Sequence, residues 1–493
     1  MPSSHPDPIL QRDPLDGFHE ECGVFGVFGS DEASVLTALG LHALQHRGQE
    51  AAGIVTFDGH SFHAHRALGH VGENFGADSP QMQQLRGHVA IGHNRYSTSG
   101  NVDPLMEIQP FSSELAFGGF ALAHNGNLTN AGRLRASLIE TGSLFQSSSD
   151  TEVIVHLVAR SHQDSVTDRL VDALKQIEGA YSLVCVADDM LIGVRDPHGV
   201  RPLVLGQREN TWLLASESCA LDIVGATPVR ELDPGEMVVI DQHGVHSTKP
   251  FQPVSSRFCV FEYVYFSRPD SVVEGRGVYH ARKAIGAELA RESHIEADMI
   301  IPVPDSGVPA ALGYAEASAT PFDLGIIRNH YVGRTFIEPQ QSIRAFSVKL
   351  KHNANRVHVD GKRVILIDDS IVRGTTSVKI VQMMRDAGAT EVHLRIGAPP
   401  ITHPDFYGID TPDQDQLLAA NNSLEEMCAY IGADSLAFLS VDGLYRAMGH
   451  ENGRDPARPQ FTDHCFTGDY PTGLTDQQDD GHIKQLSLLA EQA

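Results

Sequence analysis

Residues 363–376, RVILIDDSIVRGTT, constrain the fold more than any other stretch of the chain. A run of apolar residues predicts a buried strand, two adjacent acids mark its carboxyl end, and a Ser/Gly/Thr turn then opens a helical pattern. A second apolar run, EVHLRI, follows that helix. Strand, loop, helix and strand in this order are typical of a parallel βαβ unit. We therefore expect a parallel sheet in the second half of the chain.

The turn after the first of these strands offers the chemistry of a phosphate site. Backbone N–H groups and threonine hydroxyls at a helix N-terminus bind a phosphate monoester. The two acids can hold sugar hydroxyls and a divalent ion, although an ordinary surface turn is the alternative. The stretch resembles the phosphoribosyl pyrophosphate (PRPP) motif of type I phosphoribosyltransferases. The PRPP-binding residues that this resemblance implies are Asp368, Asp369, Ser370, Arg373, Gly374, Thr375 and Thr376.

Two other segments resemble parts of the same site. Residues 301–307, IPVPDSG, resemble the pyrophosphate loop and imply that Ser306 joins Asp368 and Asp369 in holding Mg²⁺. Residues 328–363 carry eight Lys or Arg against two acids, which suits a pyrophosphate leaving group. Within them, residues 328–356 resemble a mobile catalytic loop. Its PRPP contacts by resemblance are Arg334 and Lys349, with Tyr331, Thr335, Arg344 and Lys351 as further candidates; solvated surface cations are the alternative.

The first half of the chain has a different character. Short apolar strands, glycine turns and a helix at residues 150–162 predict layered α+β packing. The pattern changes near residue 258. We therefore divide the chain into a leader (1–21), a first domain (22–257), a second domain (258–470) and a C-terminal tail (471–493).

The first domain carries an ordered set of motifs that begins at Cys22. This residue is followed by GVFG, QHRGQEAAG, HNRYST, AHNGNL and SSSDTE, which together resemble the class II glutamine amidotransferases. In that family the mature chain begins at the cysteine, whose α-amino group serves as general base. The resemblance makes residues 1–21 a propeptide, although their composition alone also suits a disordered tail. Until the Glu21–Cys22 bond is cut, the nitrogen of Cys22 is an amide and takes no proton.

The resemblance also assigns roles around this nucleophile. Catalysis falls to Cys22, with the Asn125 side chain and the Gly126 N–H as oxyanion hole. Arg95 would clamp the substrate α-carboxylate and Asp150 the α-ammonium group. The implied glutamine-binding residues are Arg95, Asp150, Gly48 and Thr98. From the residues alone, Arg95 as a structural ion pair, Asn125 as a turn residue and Asp150 as a helix N-cap stay open.

The two domains in this order resemble the amidophosphoribosyltransferase family over nearly the whole chain. The resemblance implies a four-layer αββα Ntn-hydrolase domain followed by a type I phosphoribosyltransferase domain, a parallel sheet flanked by helices. The implied reaction is the first committed step of de novo purine synthesis, in which glutamine, PRPP and water give 5-phosphoribosylamine, glutamate and pyrophosphate. Feedback inhibition by purine nucleotides and a homodimer or homotetramer are further family expectations. Tyr96 and Tyr331 are candidate parts of an ammonia passage.

The sequence argues against two other function classes. One needs a domain that is not evident, and the other would not need motifs that are present. Another class II enzyme would need an ATP-pyrophosphatase loop or a sugar isomerase domain, and neither is evident. A PRPP-sensing binding protein would have no use for Cys22, Arg95 and Asn125. An inactive paralogue stays open.

Many members of the family hold a [4Fe–4S] cluster on four cysteines. In this chain the resemblance places Cys259 and Cys465 at two of these positions, but the other two hold Asp405 and Thr462. Thiolates normally supply all four ligands. A cluster is therefore disfavoured, although it stays open because aspartate can replace one thiolate; the alternative is that the two remaining thiols lie close together without one.

Composition excludes several further classes. A net charge of −26 argues against nucleic-acid binding, because phosphate backbones need a basic surface. No apolar run of about 18 residues predicts a membrane span. Six scattered cysteines are too few for a disulfide scaffold and indicate a reducing cytoplasm.

Overall fold

The structure is a computed structural model that describes residues 22–76, 79–95, 104–187, 189–329, 352–409 and 411–478. The strands of the N-terminal half (residues 22–257) are β1 (Gly23–Phe28), β2 (Ala51–Phe57), β3 (Phe62–Leu68), β4 (Val89–Arg95), β5 (Phe111–Leu115), β6 (Gly118–Leu128), β7 (Gly179–Ala187), β8 (Met190–Arg195), β9 (Val204–Arg208), β10 (Thr211–Ala215), β11 (Thr227–Glu231), β12 (Met237–Asp241) and β13 (Gly244–Thr248). Its helices are α1 (Ala33–Ala43), α2 (Val71–Asn74), α3 (Pro80–Gln84), α4 (Ala131–Glu140), α5 (Asp150–Arg160), α6 (Val166–Leu174) and α7 (Ser218–Ile223), with a 3₁₀ turn at Pro104–Glu107.

The C-terminal half (residues 258–478) begins at a short strand. Its strands are β14 (Phe258–Cys259), β15 (Val272–Val273), β16 (Arg276–Gly277), β17 (Met299–Pro302), β18 (Ile326–Arg328), β19 (His352–Ala354), β20 (Arg363–Asp368), β21 (Glu391–Ile396), β22 (Ser435–Phe438) and β23 (Phe461–Thr462). Its helices are α8 (Val278–Ser293), α9 (Val308–Ser318), α10 (Arg356–Val359), α11 (Thr375–Asp386), α12 (Leu418–Asn421), α13 (Leu424–Ile431), α14 (Val441–Ala447), α15 (His464–Thr467) and α16 (Thr475–Gln478). A π-helical turn spans Glu262–Phe266, and a 3₁₀ turn spans Gln414–Gln416.

The N-terminal half is a sandwich of two antiparallel sheets. Seven strands run in the order β11-β9-β10-β1-β4-β2-β3, and six run in the order β13-β12-β8-β7-β6-β5. Apolar side chains from both inner faces, such as Val24 and Ile91 of one sheet and Val184 and Val238 of the other, share one buried cluster. Helices α1 and α7 pack on the outer face of the first sheet, and α5 and α6 pack on that of the second. The four-layer αββα arrangement expected from the resemblance is confirmed.

The C-terminal half is built on the predicted parallel sheet. Strands β17, β20, β21 and β22 lie side by side, and every pairing between them is parallel. Helices α8, α9 and α11 pack against these strands. Strand β20 and helix α11 fall on the stretch RVILIDDSIVRGTT, and β21 falls on EVHLRI, as the sequence predicts. No helix of the described part of the chain is long and apolar enough to cross a membrane.

A buried charge network joins the two halves. The guanidinium of Arg47, which is fully buried, pairs with Glu217 of the N-terminal half and, at 2.5 Å, with Glu262 of the C-terminal half. Arg201 Nη1 lies 3.6 Å from Glu262 Oε1. Burial alone would raise the pKa of Glu217, but the charges of Arg47 and His46 and the hydrogen bonds to Glu217 together outweigh burial and hold this pKa well below its ordinary value. The halves are therefore locked together by charges that water does not reach.

A second contact ties the end of the described chain back to the N-terminal half. The carboxylate of Asp476 accepts hydrogen bonds from Gly132 N and Arg133 N at the start of α4. The Thr129 hydroxyl donates to Gly473 O at 2.7 Å. Residues 473–476, which the sequence assigns to a tail, thus pack on the N-terminal half.

The carboxylate of Glu152 helps to fix the loop before α5. Glu152 accepts hydrogen bonds from Gln146 N and Ser147 N, both at 2.8 Å, and from the Ser147 hydroxyl at 2.7 Å. Burial would raise the pKa of Glu152, but His156 and these hydrogen bonds lower it to about 2. The loop leads directly to Asp150, so this carboxylate holds the start of α5 in place.

We predict that Glu262→Ala destabilises the chain far more than the loss of an exposed ion pair. The change leaves the guanidinium groups of Arg47 and Arg201 buried without this partner, which costs about 3–5 kcal/mol in typical cases. Urea unfolding measures the effect. The control is Lys249→Ala, which breaks an exposed pair with Asp233 and costs at most about 1 kcal/mol. Equal losses in the two variants would show that the network does not join the halves as described.

We predict that the stability contributed by Glu152 depends on pH. Its folded-state pKa is depressed, so the contribution is complete above the unfolded value of about 4.5 and is lost as the pH falls toward 2. The variant Glu152→Gln is therefore expected to unfold at lower temperature than wild type at pH 7, with the gap narrowing below about pH 4.5. Thermal unfolding at several pH values tests this, with Glu114→Gln on an exposed part of β5 as control. A gap that stays constant down to pH 3 contradicts the assignment.

Candidate active sites

Cys22 is half-buried and lies directly before β1, at the end of the sheet where the start of β1 pairs with the end of β4. The register pairs Gly23 with Asn94, which places Cys22 level with Arg95 at the end of β4. Val24 N donates to Ser216 Oγ at 2.9 Å, and Ser216 N donates to Val24 O at 3.1 Å. The predicted nucleophile and the predicted carboxylate clamp therefore share one sheet edge.

Gly48 is required beside Arg95 for steric reasons. A Cβ at position 48 would lie 2.7 Å from the carbonyl carbon of Arg95 and 2.8 Å from its oxygen, closer than real contacts allow. The Gln45 side chain donates to Gly48 O at 2.5 Å and accepts from Val71 N at 2.8 Å. The HRG sequence thus brings the backbone after α1 against the end of β4, and Gln45 is a supporting residue that the sequence alone did not single out.

The predicted oxyanion-hole residues lie in β6, which belongs to the second sheet and packs against β1, the strand that follows Cys22. Asn125 is fully buried, and its Nδ2 lies 3.5 Å from Ser216 Oγ, the atom that also accepts from Val24 N. Its Oδ1 has no hydrogen-bond partner within the described residues. Because Asn125 pairs with Ser182 in the middle of a strand, the alternative of a turn residue is wrong. Ser216 connects the two strands and was not predicted from sequence.

Asp150 is the first residue of α5, and the preceding Ser149 is the N-cap, with its hydroxyl accepting from Thr151 N. The alternative of Asp150 as N-cap is therefore wrong, because Ser149 supplies that acceptor. Asp150 Oδ2 instead accepts from Leu128 N at 2.9 Å and lies 3.6 Å from His124 Nδ1. Burial raises the pKa of this carboxyl, but His124 and the hydrogen bonds together lower it by more than burial raises it. Asp150 is therefore ionised at neutral pH.

Electrostatics show that these groups converge. His93 of β4 is buried, and its Nε2–H donates to His124 O of β6 at 3.1 Å. Burial, followed by Arg95 and His124, lowers the pKa of His93 to about 3, while Asp150 opposes them. The charges of a cation and of an anion thus both act on the same neutral imidazole. This is the charge pattern that an amino acid zwitterion requires.

The second candidate site lies at the carboxyl ends of the parallel strands. Strand β20 ends at the buried Asp368, residues 369–374 form a loop, and α11 begins at Thr375 after Gly374 in the left-handed region at φ +79°. Asp369 N donates to Asp368 Oδ1 at 3.0 Å. The first backbone N–H groups of α11 have no carbonyl acceptor within the helix, which is the arrangement expected for a phosphate site. The predicted residues 368–376 therefore form one continuous loop and helix start.

The predicted metal residues come together at the same edge. Val303 N donates to Ile367 O at 2.8 Å, so the loop 303–307 runs along the end of β20. Burial raises the pKa of Asp369, and hydroxyls of Ser306 and Ser370 and the charge of Arg282 only partly offset it. Arg282, which was not predicted from sequence, is buried, and its guanidinium donates to the backbone of the π-helical turn. A bound cation would favour the ionised carboxyl of Asp369.

The predicted catalytic loop is described only at its base. Strands β18 and β19 pair as an antiparallel ribbon, and Arg328 at the end of β18 pairs with Asp305 of the pyrophosphate-type loop. The remaining candidates lie outside the described residues; they are Tyr96, Thr98, Tyr331, Arg334, Thr335, Arg344, Lys349 and Lys351.

The four positions that correspond to cluster cysteines lie together in the fold. Cys259 and Thr462 are neighbours in β14 and β23, and the Thr462 hydroxyl donates to Arg257 O at 2.5 Å. Asp405 Oδ2 lies 2.7 Å from His464 Nε2, which is also 3.4 Å from Cys465 Sγ.

The oxygen-bearing side chains at two of these positions, Asp405 and Thr462, are hydrogen-bonded to the protein backbone. Within the described residues, Asp405, His464 and Cys465 form the one group of three metal-ligand types within 4.8 Å. Burial, with Asp405 and Cys259 nearby, holds the pKa of the Cys465 thiol well above its ordinary value. This donor set does not match four thiolates.

Comparison with known proteins places the whole chain. Residues 93–222 match the model of the glutamine amidotransferase domain family. An amidophosphoribosyltransferase of Rhizobium etli is 57% identical, covering 99% of both chains, and one of Bacillus subtilis is 47% identical, covering 96% of this chain and 99% of that protein. A chloroplastic amidophosphoribosyltransferase of Arabidopsis thaliana is 51% identical over 93% of this chain and 80% of that protein.

A solved structure supports the same conclusion. The B. subtilis glutamine PRPP amidotransferase, complexed with ADP and GMP, superimposes with a TM-score of 0.86 at 47% identity, covering 92% of this chain and 98% of that chain. Sequence and fold agree over both halves. The chain therefore belongs to the amidophosphoribosyltransferase family.

Proposed function

We propose that the chain makes 5-phosphoribosylamine in two steps at two sites, with the residue assignments given below. Glutamine is hydrolysed in the N-terminal half, and the ammonia released there attacks PRPP in the C-terminal half. The observation that carries the proposal is the coexistence, in one locked body, of the Cys22 strand edge and the β20–α11 phosphate loop. The domain limits we propose are 22–257 and 258–470, with residues 1–21 removed as a propeptide and residues 471–493 as C-terminal tail.

In the first step the Cys22 thiol attacks the side-chain amide of glutamine. The α-amino group of the mature chain takes the thiol proton and returns it to the leaving ammonia. The Asn125 amide and the Gly126 N–H stabilise the tetrahedral oxyanion, each donor contributing about 3 kcal/mol. Water then hydrolyses the thioester, which releases glutamate and restores the thiol.

Substrate orientation in this step rests on opposite charges. Arg95 pairs with the α-carboxylate, and the ionised Asp150 pairs with the α-ammonium group. Gly48 keeps the backbone of Arg95 within van der Waals distance, and Thr98 completes the glutamine contacts. Because both charged partners bind the α-carbon end of glutamine, the side-chain amide with its scissile bond is free to lie next to Cys22.

In the second step the C-terminal half positions PRPP for attack at C1. The start of α11, with Ser370, Gly374, Thr375 and Thr376, takes the 5-phosphate through backbone N–H groups and hydroxyls, and Arg373 adds charge. Asp368 and Asp369 hold the ribose hydroxyls. Ser306, Asp368 and Asp369 would hold Mg²⁺, which neutralises charge on the departing pyrophosphate when bound. Arg334 and Lys349 are the proposed closing contacts, which also exclude water from the ammonia.

Regulation and assembly follow the relatives. The B. subtilis enzyme is seen with ADP and GMP, and a nucleoside monophosphate offers the same 5-phosphate and ribose as PRPP. We propose that purine nucleotides compete at the β20–α11 loop. A homodimer or homotetramer in the cytoplasm is the proposed setting. No [4Fe–4S] cluster is part of the proposal, because Asp405 and Thr462 carry hydrogen-bonded oxygen groups at two ligand positions.

Replacing the nucleophile should separate the two steps. Cys22→Ser is expected to lower glutamine-dependent synthesis by at least about 100-fold and to leave ammonia-dependent synthesis within about twofold, because only the first step uses the thiol. Pyrophosphate release from PRPP measures both reactions. Asp369→Asn is the matched control at the second site and is expected to lower both. Glutamine-dependent turnover that survives in Cys22→Ser would rule out the proposed nucleophile.

Maturation is tested on the unmodified protein. Because an amide nitrogen cannot act as base, the active chain is expected to begin at Cys22, and intact mass spectrometry should show the loss of residues 1–21. Edman sequencing of the same sample should begin Cys-Gly-Val. Full glutaminase activity in a preparation that retains the leader would contradict the proposed general base.

A further inference from the structure

The segment 405–409, which we call the 405–409 loop, lies between the two sites. On the N-terminal half, Asn127 Nδ2 donates to Phe406 O at 3.0 Å, and Arg201 Nη2 donates to Tyr407 O at 3.0 Å. A residue of the C-terminal half is thus bonded to the strand of the oxyanion hole. Arg201 is the same buried arginine that faces Glu262 in the network between the halves.

The closest contact of this loop is with the oxyanion-hole glycine itself. Gly408 adopts φ +118°, and a Cβ there would lie 3.1 Å from the carbonyl carbon of Gly126 and 3.2 Å from its Cα and O. Gly126 itself has φ +144°, a conformation that only glycine adopts easily. Two glycines from different halves therefore pack backbone against backbone. The position of the Gly408 backbone therefore determines the space available to the Gly126 backbone.

One carboxylate shapes the loop. Asp405 Oδ1 accepts from Tyr407 N at 2.7 Å and from Ile409 N at 2.8 Å, while Oδ2 faces His464 Nε2 at 2.7 Å. The side chains of Asp405 and His464 are 0% and 1% exposed. Burial would raise the pKa of Asp405, but His464, Arg201 and the backbone hydrogen bonds together outweigh burial and lower this pKa. The carboxylate is thus held ionised while it caps the loop that meets Gly126.

The other end of the loop leads to the PRPP site. Gly397 N, directly after β21, donates to Asp368 O at 2.9 Å. Residues 398–404 then run to the loop, and both Thr402 N and His403 N donate to Cys465 O beside His464. Residues 397–409 therefore connect the last residue of β20 with the oxyanion hole over a short path that hydrogen bonds hold at both ends.

We propose that Asp405 and His464 are a positioning pair that holds the 405–409 loop against Gly126 and so fixes the Gly126 N–H for the oxyanion. The proposal rests on the oxyanion role of Gly126 given above. Asp405 fastens the loop through its hydrogen bonds from Tyr407 N and Ile409 N. The loop in turn meets the oxyanion hole at the contact between Gly408 and Gly126, so the pair acts through Gly126.

The sharpest test crowds the glycine contact without removing any polar group. Gly408→Ala places a Cβ against Gly126, and a reacting geometry displaced by about 1 Å loses about 100-fold in rate. We expect the glutaminase kcat to fall at least about tenfold, while KM for glutamine and the ammonia-dependent kcat stay within about twofold. Gly244→Ala is the matched control, because Gly244 has nearly the same φ at +115° but a Cβ at that position would meet nothing within 4 Å.

A second pair of variants tests the carboxylate directly. Asp405→Ala removes both backbone hydrogen bonds of the loop and is expected to show the same selective loss of glutaminase kcat. Asp405→Asn keeps an oxygen for Tyr407 N and Ile409 N and is expected to recover most of it. The unfolding temperature of each variant is recorded, and the ammonia-dependent rate reports whether the C-terminal half is intact.

The outcomes separate this inference from the proposed function. A wild type that uses ammonia but not glutamine would defeat the proposed function itself. A wild type that uses both, with Gly408→Ala and Gly244→Ala indistinguishable in glutaminase kcat, would overturn the positioning role, as would equal loss of both reactions or a change confined to KM. Elemental analysis of protein purified without oxygen is expected to find less than about a tenth of an iron or zinc ion per chain. Stoichiometric iron or zinc would also overturn it.

Discussion

The structure depends on the buried pairing of Arg47 with one carboxylate from each half. Glu217 comes from the sandwich and Glu262 from the π-helical turn, and both are fully buried around the same guanidinium. Because a buried charge without its partner is costly, neither half can move away without exposing or orphaning these groups. Arg47 directly precedes Gly48, whose backbone packs on Arg95. The residue that locks the halves thus lies next to the glycine that packs on Arg95, the proposed glutamine clamp, so the geometry of the first site is tied to the orientation of the second.

This arrangement suits a reaction whose intermediate is a small neutral base. Ammonia in water takes up a proton and leaves, so the two sites must face each other at a fixed separation. The structure provides two routes of mechanical connection between them. One runs through the charge network, and the other runs from Asp368 through Gly397 and residues 398–409 to Gly126. Both routes consist of packed backbone or buried charges, which transmit a displacement because packed interiors yield little.

Local pattern was sufficient to predict the elements whose signal is short in sequence. Strand β20, helix α11 and strand β21 follow from apolar runs and one turn, and the motifs of the first half single out Asn125, whose amide lies 3.5 Å from Ser216 Oγ beside the strand of Cys22. Contacts between distant parts of the chain could not be predicted this way. Arg47 and Glu262 are 215 residues apart, and Ser216 reaches the strand of Cys22 across 192 residues. Nothing in the local sequence of either partner encodes that meeting.

The role of a residue that suits two different local interactions could also not be predicted from the sequence. Asp150 and Ser149 both suit a helix N-cap, and only the fold shows that Leu128 N competes for the carboxylate. The same holds for Asp405, which the sequence shows only as a missing cysteine. A buried carboxylate at that position needs hydrogen-bond donors, and the fold supplies two backbone N–H groups beside His464. Thr462, being neutral, needs only a carbonyl acceptor and finds it in Arg257 O. Both side chains are thus hydrogen-bonded by groups of the protein, and each fastens the backbone that it contacts.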